Sequence, residues 1–165
     1  MERITKSSLI LASPDRVWAA ITDANQLATW FGAEFSLPFG PGLHVVGRIV
    51  PTKVFPPAAR ARKAYTGLPI ELDIGKVEPS RLLTFLWSPF AFFRPDLRVG
   101  ATTEVVVEIA LDPRGARLQV TESLDGVQGD LLDEAVETIA LGWTTQIRQL
   151  ELFLSGAIDL RPVKD

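Results

Sequence analysis

One stretch near the carboxyl end decides the fold class: residues 130–156, which read DLLDEAVETIALGWTTQIRQLELFLSG. Apolar side chains recur in it at spacings of three and four, the period of a single helix face. They form one continuous stripe of Leu132, Val136, Ile139, Trp143, Ile147, Leu150 and Leu154. Asp130 is predicted to cap this helix and Gly156 to end it. At 1.5 Å per residue the helix is about 36 Å long, enough to cross a whole domain.

The chain before this helix predicts antiparallel strands. Residues 70–78 and 81–87 flank the pair Pro79-Ser80, which predicts a hairpin. A second hairpin is predicted where residues 102–112 and 116–123 flank Pro113-Arg114-Gly115. Alternating or β-rich runs predict three further strands, at residues 3–11, 34–37 and 44–50.

Two short helices are predicted directly after the first strand. Ser13 followed by Pro14 is a strong helix start, and Asp23 with Gln26 forms an Asp version of the capping box. The second short helix is predicted to end at Gly32. The predicted fold class is therefore α+β, with an antiparallel sheet, one long C-terminal helix and two short helices after the first strand.

Two long segments interrupt this plan. Residues 51–69 are rich in proline, alanine and basic residues and are predicted to be an excursion between strands. Residues 88–101 carry Phe90, Phe92 and Phe93, which we expect to fold back onto the body, because three exposed phenylalanines leave apolar surface in water. This aromatic loop is interpreted either as a lid over a cavity or as a permanent hydrophobic plug.

Composition limits the possible functions. The 165 residues carry a formal net charge of −3 and 47% hydrophobic residues, which predicts a globular protein that does not bind nucleic acid. We predict one domain over residues 1–156 with a tail at 157–165, located in the cytoplasm and not in a membrane. With one histidine and no cysteine, the sequence predicts neither a metal site nor a cofactor. The basic residues Arg60, Arg62 and Lys63 are interpreted as solubilising.

Several motifs, in this order, resemble the SRPBCC superfamily of START-related, Bet v-like helix-grip proteins. They are SPDRVW at 13–18, Thr22-Asp23, Leu27 with Trp30-Phe31, GKVEPSRL at 75–82 running to Trp87, Thr121-Glu122-Ser123, and Gly142-Trp143 with Leu150. Within the superfamily they resemble the branch that shares a domain with activators of the heat-shock-protein-ninety ATPase. The resemblance implies a curved antiparallel sheet that grips the long helix, with a cavity between them.

Candidate ligand-binding residues follow from that implied cavity. Each aromatic residue taken alone is explained by core packing, but the fold brings many of them to one place. The candidates are Trp30, Phe31, His44, Phe85, Trp87, Phe90, Phe92, Phe93, Glu104, Ile139, Trp143 and Ile147. Glu71, Glu104 and Glu122 all lie on predicted strands, and strand parity does not fix which of them faces inward, because one bulge reverses it.

The predicted function is non-enzymatic binding of a hydrophobic or amphipathic small molecule. No nucleophile motif or phosphate-binding glycine motif occurs in the sequence, so no catalytic residue is assigned. One alternative is an enzyme of the polyketide cyclase or aromatase kind, which needs His44 or an inward glutamate in the cavity with a shifted pKa. Another is a chaperone-linked interaction module that binds a protein partner through its outer surface.

Overall fold

The computed structural model describes residues 2–36, 38–89, 102–127 and 129–156. In these ranges the strands are β1 Arg3–Ile10, β2 Ala33–Phe35, β3 His44–Ile49, β4 Pro69–Glu78, β5 Leu82–Trp87, β6 Thr103–Asp112 and β7 Gly115–Ser123. The helices are α1 Pro14–Thr22, α2 Ala24–Trp30, α3 Pro56–Ala61 and α4 Gly129–Ser155, with a 3-10 turn at Lys63–Tyr65. The predicted aromatic loop with Phe90, Phe92 and Phe93, and the predicted tail at 157–165, lie outside the described residues.

The seven strands form one curved antiparallel sheet in the order β1-β7-β6-β5-β4-β3-β2. Both predicted hairpins are confirmed, as β4–β5 and β6–β7. Their turns use local chemistry: Ser80 adopts a φ of 62°, and the Arg114 amide donates to Asp112 Oδ1 at 2.9 Å. Along the central strands every second side chain is buried, so one face of the sheet carries the core.

The long helix α4 packs against that buried face, as predicted. The helix begins at Gly129, so Asp130 lies in its first turn rather than at the cap. In the first turn its negative charge still interacts favourably with the positive end of the helix dipole. Gly156 follows the helix with a φ of +73°, the left-handed conformation in which glycine commonly ends a helix. The predicted α+β helix-grip architecture is therefore confirmed.

The buried face of α4 differs from the predicted stripe. Its buried residues are Ala135, Ile139, Trp143, Gln146, Gln149, Leu150 and Leu152. Four residues of the predicted stripe are only partly buried, namely Leu132, Val136, Ile147 and Leu154. Two glutamines thus occupy positions where the hydrophobic pattern predicted none, and they contribute to the site described below.

The two short helices begin as predicted. The Ser13 hydroxyl accepts a hydrogen bond from the Arg16 amide at 3.2 Å, and Asp23 Oδ1 accepts one from the Asn25 amide at 3.1 Å. Gly32 follows α2 with a φ of +87°, and a Cβ there would lie 2.9 Å from the Val50 carbonyl oxygen. The chain therefore turns out of α2 directly against the segment that follows β3.

The segment at residues 51–69 is an excursion between β3 and β4, as predicted, and part of it is helical. It contains α3 and the 3-10 turn, and it buries Val54, Phe55, Pro57 and Ala58. Proline is well suited to the first turn of a helix, where its missing N–H has no partner to lose. In the described residues, no helix is both long and apolar enough to cross a bilayer.

Candidate functional site

Two small cavities lie between the sheet and α4, and α2 also borders the first of them. The first has a volume of about 60 Å³ and is lined almost entirely by apolar side chains. Its lining consists of Ile21, Leu27, Trp30, Phe31, Phe35, Phe39, Ile70, Leu72, Leu83, Phe85, Trp87, Val107, Leu118, Val120, Trp143, Gln146, Ile147 and Leu150. Five strands (β2, β4, β5, β6 and β7) supply one wall, and the residues that β4, β5 and β7 contribute alternate along each strand, since period-two side chains share a face.

The second cavity has a volume of about 70 Å³ and is more polar. It is lined by Arg62, Trp87, Pro89, Glu122, Thr138, Ile139, Gly142, Trp143 and Gln146. Trp87, Trp143 and Gln146 line both cavities and so form the partition between them. The two indole rings of this partition have their centroids 5.8 Å apart at an angle of 37°.

A buried carboxyl group holds the partition in place. Glu122 on β7 is 0% exposed. Its Oε1 accepts a hydrogen bond from Trp143 Nε1 at 2.7 Å, and its Oε2 accepts from Thr103 Oγ1 at 2.6 Å and Trp87 Nε1 at 3.3 Å. Burial raises the pKa of the Glu122 carboxyl, and the three hydrogen bonds oppose that rise without cancelling it. One acidic side chain therefore links the sheet to α4 through both tryptophans.

The two buried glutamines of α4 anchor the end of α2. Gln149 Nε2 donates to the Trp30 carbonyl at 2.8 Å, and Gln146 Nε2 donates to the Phe31 carbonyl at 3.1 Å. The Thr52 hydroxyl also donates to the Trp30 carbonyl, at 2.7 Å. Carbonyl groups at a helix end have no partner within the helix. These side chains supply partners, and they fix Trp30 and Phe31 at the wall of the first cavity.

Arg62 is the cation among the described residues that line the second cavity. It follows α3, and its side chain is half-buried, whereas Arg60 and Lys63 are exposed. Burial lowers the pKa of the Arg62 guanidinium, but a guanidinium remains charged at neutral pH. The interpretation of all three residues as a solubilising patch is therefore corrected for Arg62, because α3 turns it towards the cavity.

Most of the candidate residues predicted from the sequence lie together. Trp30, Phe31, Phe85, Trp87, Trp143 and Ile147 line the first cavity, and Ile139 lines the second. Phe90, Phe92 and Phe93 lie outside the described residues. Gln146 and Arg62 were missed as candidates. Glu122 was one of three strand glutamates for which the inward or outward direction was left open, and the structure turns it inward. The pattern that indicated an inward Glu122 is strand alternation, because Leu118, Val120 and Glu122 are every second residue of β7 and point to the same face.

His44 and Glu104 do not line either cavity, which corrects their place among the candidates. Glu104 lies between the buried Thr103 and Val105, so strand alternation turns it to the outer face. His44 is exposed at the start of β3, and its Nδ1 lies 2.6 Å from Asp73 Oδ1. This hydrogen bond is the main reason that the pKa of His44 is raised. In the described part of the chain, no cluster of three potential metal ligands is found.

The sequence matches a known family over most of its length. The model of the family described as "Activator of Hsp90 ATPase homolog 1-like protein" matches residues 11–155, and the chain belongs to this family. Among curated proteins, none is significantly similar in sequence. The predicted resemblance to the heat-shock ATPase activator branch is therefore confirmed.

Solved structures share the fold at low sequence identity. Protein MLL2253 from Mesorhizobium loti has a TM-score of 0.70 at 19% identity, with 96% of this chain and 100% of that chain covered. A protein from Arthrobacter aurescens has a TM-score of 0.70 at 17% identity, with 93% and 86% covered. DynU16, from the dynemicin biosynthetic locus, has a TM-score of 0.69 at 22% identity. The alignment covers 98% of this chain and 51% of DynU16, so this chain spans about half the length of DynU16. At these identities the similarity establishes the fold alone.

Proposed function

We propose that this member of the family binds a small hydrophobic or amphipathic molecule, without catalysis, in the cavities between the sheet and α4. The observation that carries the proposal is the first cavity, an internal space lined by apolar side chains from the sheet, α2 and α4. Apolar space with few polar groups is the usual character of small-molecule sites.

The size of the cavities limits the ligand. They measure about 60 and about 70 Å³, whereas sites for drug-sized ligands span about 300–1,000 Å³. The proposed ligand is therefore small or has a narrow chain, and it fills space beside the indoles of Trp87 and Trp143. A large fused-ring molecule does not fit without displacing them.

A titration with straight-chain alcohols from butanol to octanol tests the proposal. Trp30, Trp87 and Trp143 line the first cavity, so binding should change the intrinsic tryptophan fluorescence. Affinity should rise with each added methylene, by at most about 0.8 kcal/mol, and level off once the cavity is full. Failure of every alcohol to bind would contradict the proposal.

A cavity-filling variant makes the test specific. Ile147→Phe adds volume inside the first cavity, whereas Leu141→Phe adds it at a position of the same helix that is 55% exposed. Binding should weaken in the first variant and stay unchanged in the second, with the circular dichroism of both compared to confirm folding. If both variants bind the alcohols equally, the alcohols bind outside the first cavity, and the assignment of the site is refuted.

One observation favours the enzymatic alternative. Glu122 lines the second cavity and the pKa of its carboxyl is raised by burial, which are features of groups that transfer protons. Native mass spectrometry of molecules that copurify with the wild-type and Glu122→Gln proteins distinguishes the alternatives. A molecule chemically altered only by the wild type would support catalysis, and the same unaltered molecule in both would support binding alone.

A further inference from the structure

The second cavity combines apolar walls with one cation. Ile139, Trp87 and Trp143 give it apolar surface, and Arg62 lies at its wall. Within the described residues the Arg62 guanidinium forms neither a hydrogen bond nor an ion pair. A half-buried charge without a protein partner is costly, and buried charges are usually paired. Among the described residues, therefore, nothing uses the hydrogen-bonding capacity of this cation.

Glu122 does not neutralise this cation. The carboxyl group lines the same cavity, but no ion pair joins it to Arg62 in the described structure. Its two oxygens accept hydrogen bonds from Trp87, Thr103 and Trp143 instead. The carboxyl is thus held towards the tryptophans, and the guanidinium remains available to another anion.

We propose that Arg62 binds the carboxylate of a small amphipathic monocarboxylic acid, whose apolar part lies against Ile139 and the two tryptophans. This inference rests on the proposed binding function and names the chemical class of its ligand. The planar guanidinium matches a carboxylate through two parallel hydrogen bonds. A phosphate monoester fits less well, because its second negative charge would enter a cavity in which Arg62 is the one cation among the described lining residues.

The experiment compares three probes with the same chain: hexanoate, hexanol and hexyl phosphate, at pH 7 and constant ionic strength. Tryptophan fluorescence titrations give the affinities. Hexanoate should bind about tenfold more tightly than hexanol, as expected for charge-assisted hydrogen bonds, and more tightly than hexyl phosphate. Higher salt should reduce this advantage, because the Arg62 side chain is only half-buried.

Two matched variants locate the effect. Arg62→Gln should weaken hexanoate binding about tenfold, towards the affinity of hexanol, and should affect hexanol binding much less, because hexanol carries no charge. Arg60→Gln removes a cation of the same segment at an exposed position, and it should preserve the preference for hexanoate. Circular dichroism and thermal melts establish that both variants fold; if Arg62→Gln does not, Arg62→Lys serves, and it should weaken hexanoate more than hexanol because it loses the planar fork.

The outcomes separate the two proposals. If hexanol binds but hexanoate shows no preference, or if Arg60→Gln and Arg62→Gln behave alike, the assignment of Arg62 is overturned while cavity binding stands. Tighter binding of hexyl phosphate than of hexanoate overturns the choice of a monocarboxylate. If none of the probes binds, the proposed function itself fails, and the inference fails with it.

Discussion

Replacing Glu122 by glutamine tests whether burial controls the carboxyl group at the centre of the site. The two side chains have nearly the same shape, but glutamine does not titrate. Burial raises the pKa of Glu122 in the folded state above its ordinary value. Below about pH 4.5 the neutral Glu122 carboxyl makes its full contribution to the free energy of unfolding of the wild type. That contribution is lost as the pH rises through the folded-state pKa.

The stability of Glu122→Gln relative to the wild type should therefore increase with pH. Between the unfolded-state and folded-state pKa values the unfolded chain loses its proton first, and the slope reaches at most about 1.4 kcal/mol per pH unit. Near pH 4 both side chains are neutral, so their difference is set by hydrogen bonds. There the NH2 group of the glutamine replaces one of the two oxygens and faces the N–H of Trp143 or of Trp87, which is a donor too, and an unsatisfied buried donor costs about 1–3 kcal/mol.

Urea denaturation of both proteins from pH 4 to pH 8 measures this difference directly. Glu104→Gln, an exposed glutamate on the adjacent strand β6, reports the background of removing a charge from the sheet. If the difference in the free energy of unfolding between wild type and Glu122→Gln does not vary with pH, burial does not raise the pKa of Glu122 and the reasoning is refuted. A difference that grows in favour of the wild type would mean that the hydrogen bonds from Trp87, Thr103 and Trp143 outweigh burial.

Three other changes test separate parts of the structure. Ile139→Ala should lower the free energy of unfolding by about 2–5 kcal/mol in urea melts. Ile147→Ala should lower it by less, because Ile147 is only partly buried, and equal losses in the two variants would contradict this. The pKa of His44, measured by NMR titration, should lie above 6.5 and fall in Asp73→Asn, since the carboxylate hydrogen bond raises it; no change in the variant would exclude that cause. Gly156→Ala should cost about 1 kcal/mol, because its φ of +73° strains any residue with a Cβ.

The features that follow from local chemistry could be predicted from the sequence. The caps at Ser13 and Asp23, the two hairpin turns and the long helix all depend on residues close together in the chain. Strand alternation also predicts that Glu122 faces inward, since it lies two and four residues after Val120 and Leu118 on β7. A bulge would have reversed that parity, and the structure has one in β4 between Ile74 and Val77 but a continuous register along β7.

The polar part of the site could not be predicted, because it depends on contacts between distant segments. Gln146 and Gln149 look like exposed residues when only hydrophobic periodicity is considered. They are buried because two carbonyls at the end of α2, more than a hundred residues earlier in the chain, need donors. Arg62 likewise enters the site only because residues 56–61 form α3, which the proline-rich composition concealed.

The same polar contacts explain why the core contains space at all. Protein cores are close-packed and normally contain few voids larger than a water molecule. Here Trp87 and Trp143 stand between the two cavities, and a shift of either indole into the space beside it would break its hydrogen bond to Glu122. A shift of Trp143 would leave its buried N–H and Glu122 Oε1 without partners, at a cost of about 1–3 kcal/mol for each group. Burying the walls of a cavity of about 60 Å³ offers too little in return, at about 24 cal/mol per Å³. The hydrogen bonds to Glu122 therefore oppose a collapse of the two indoles into the cavities.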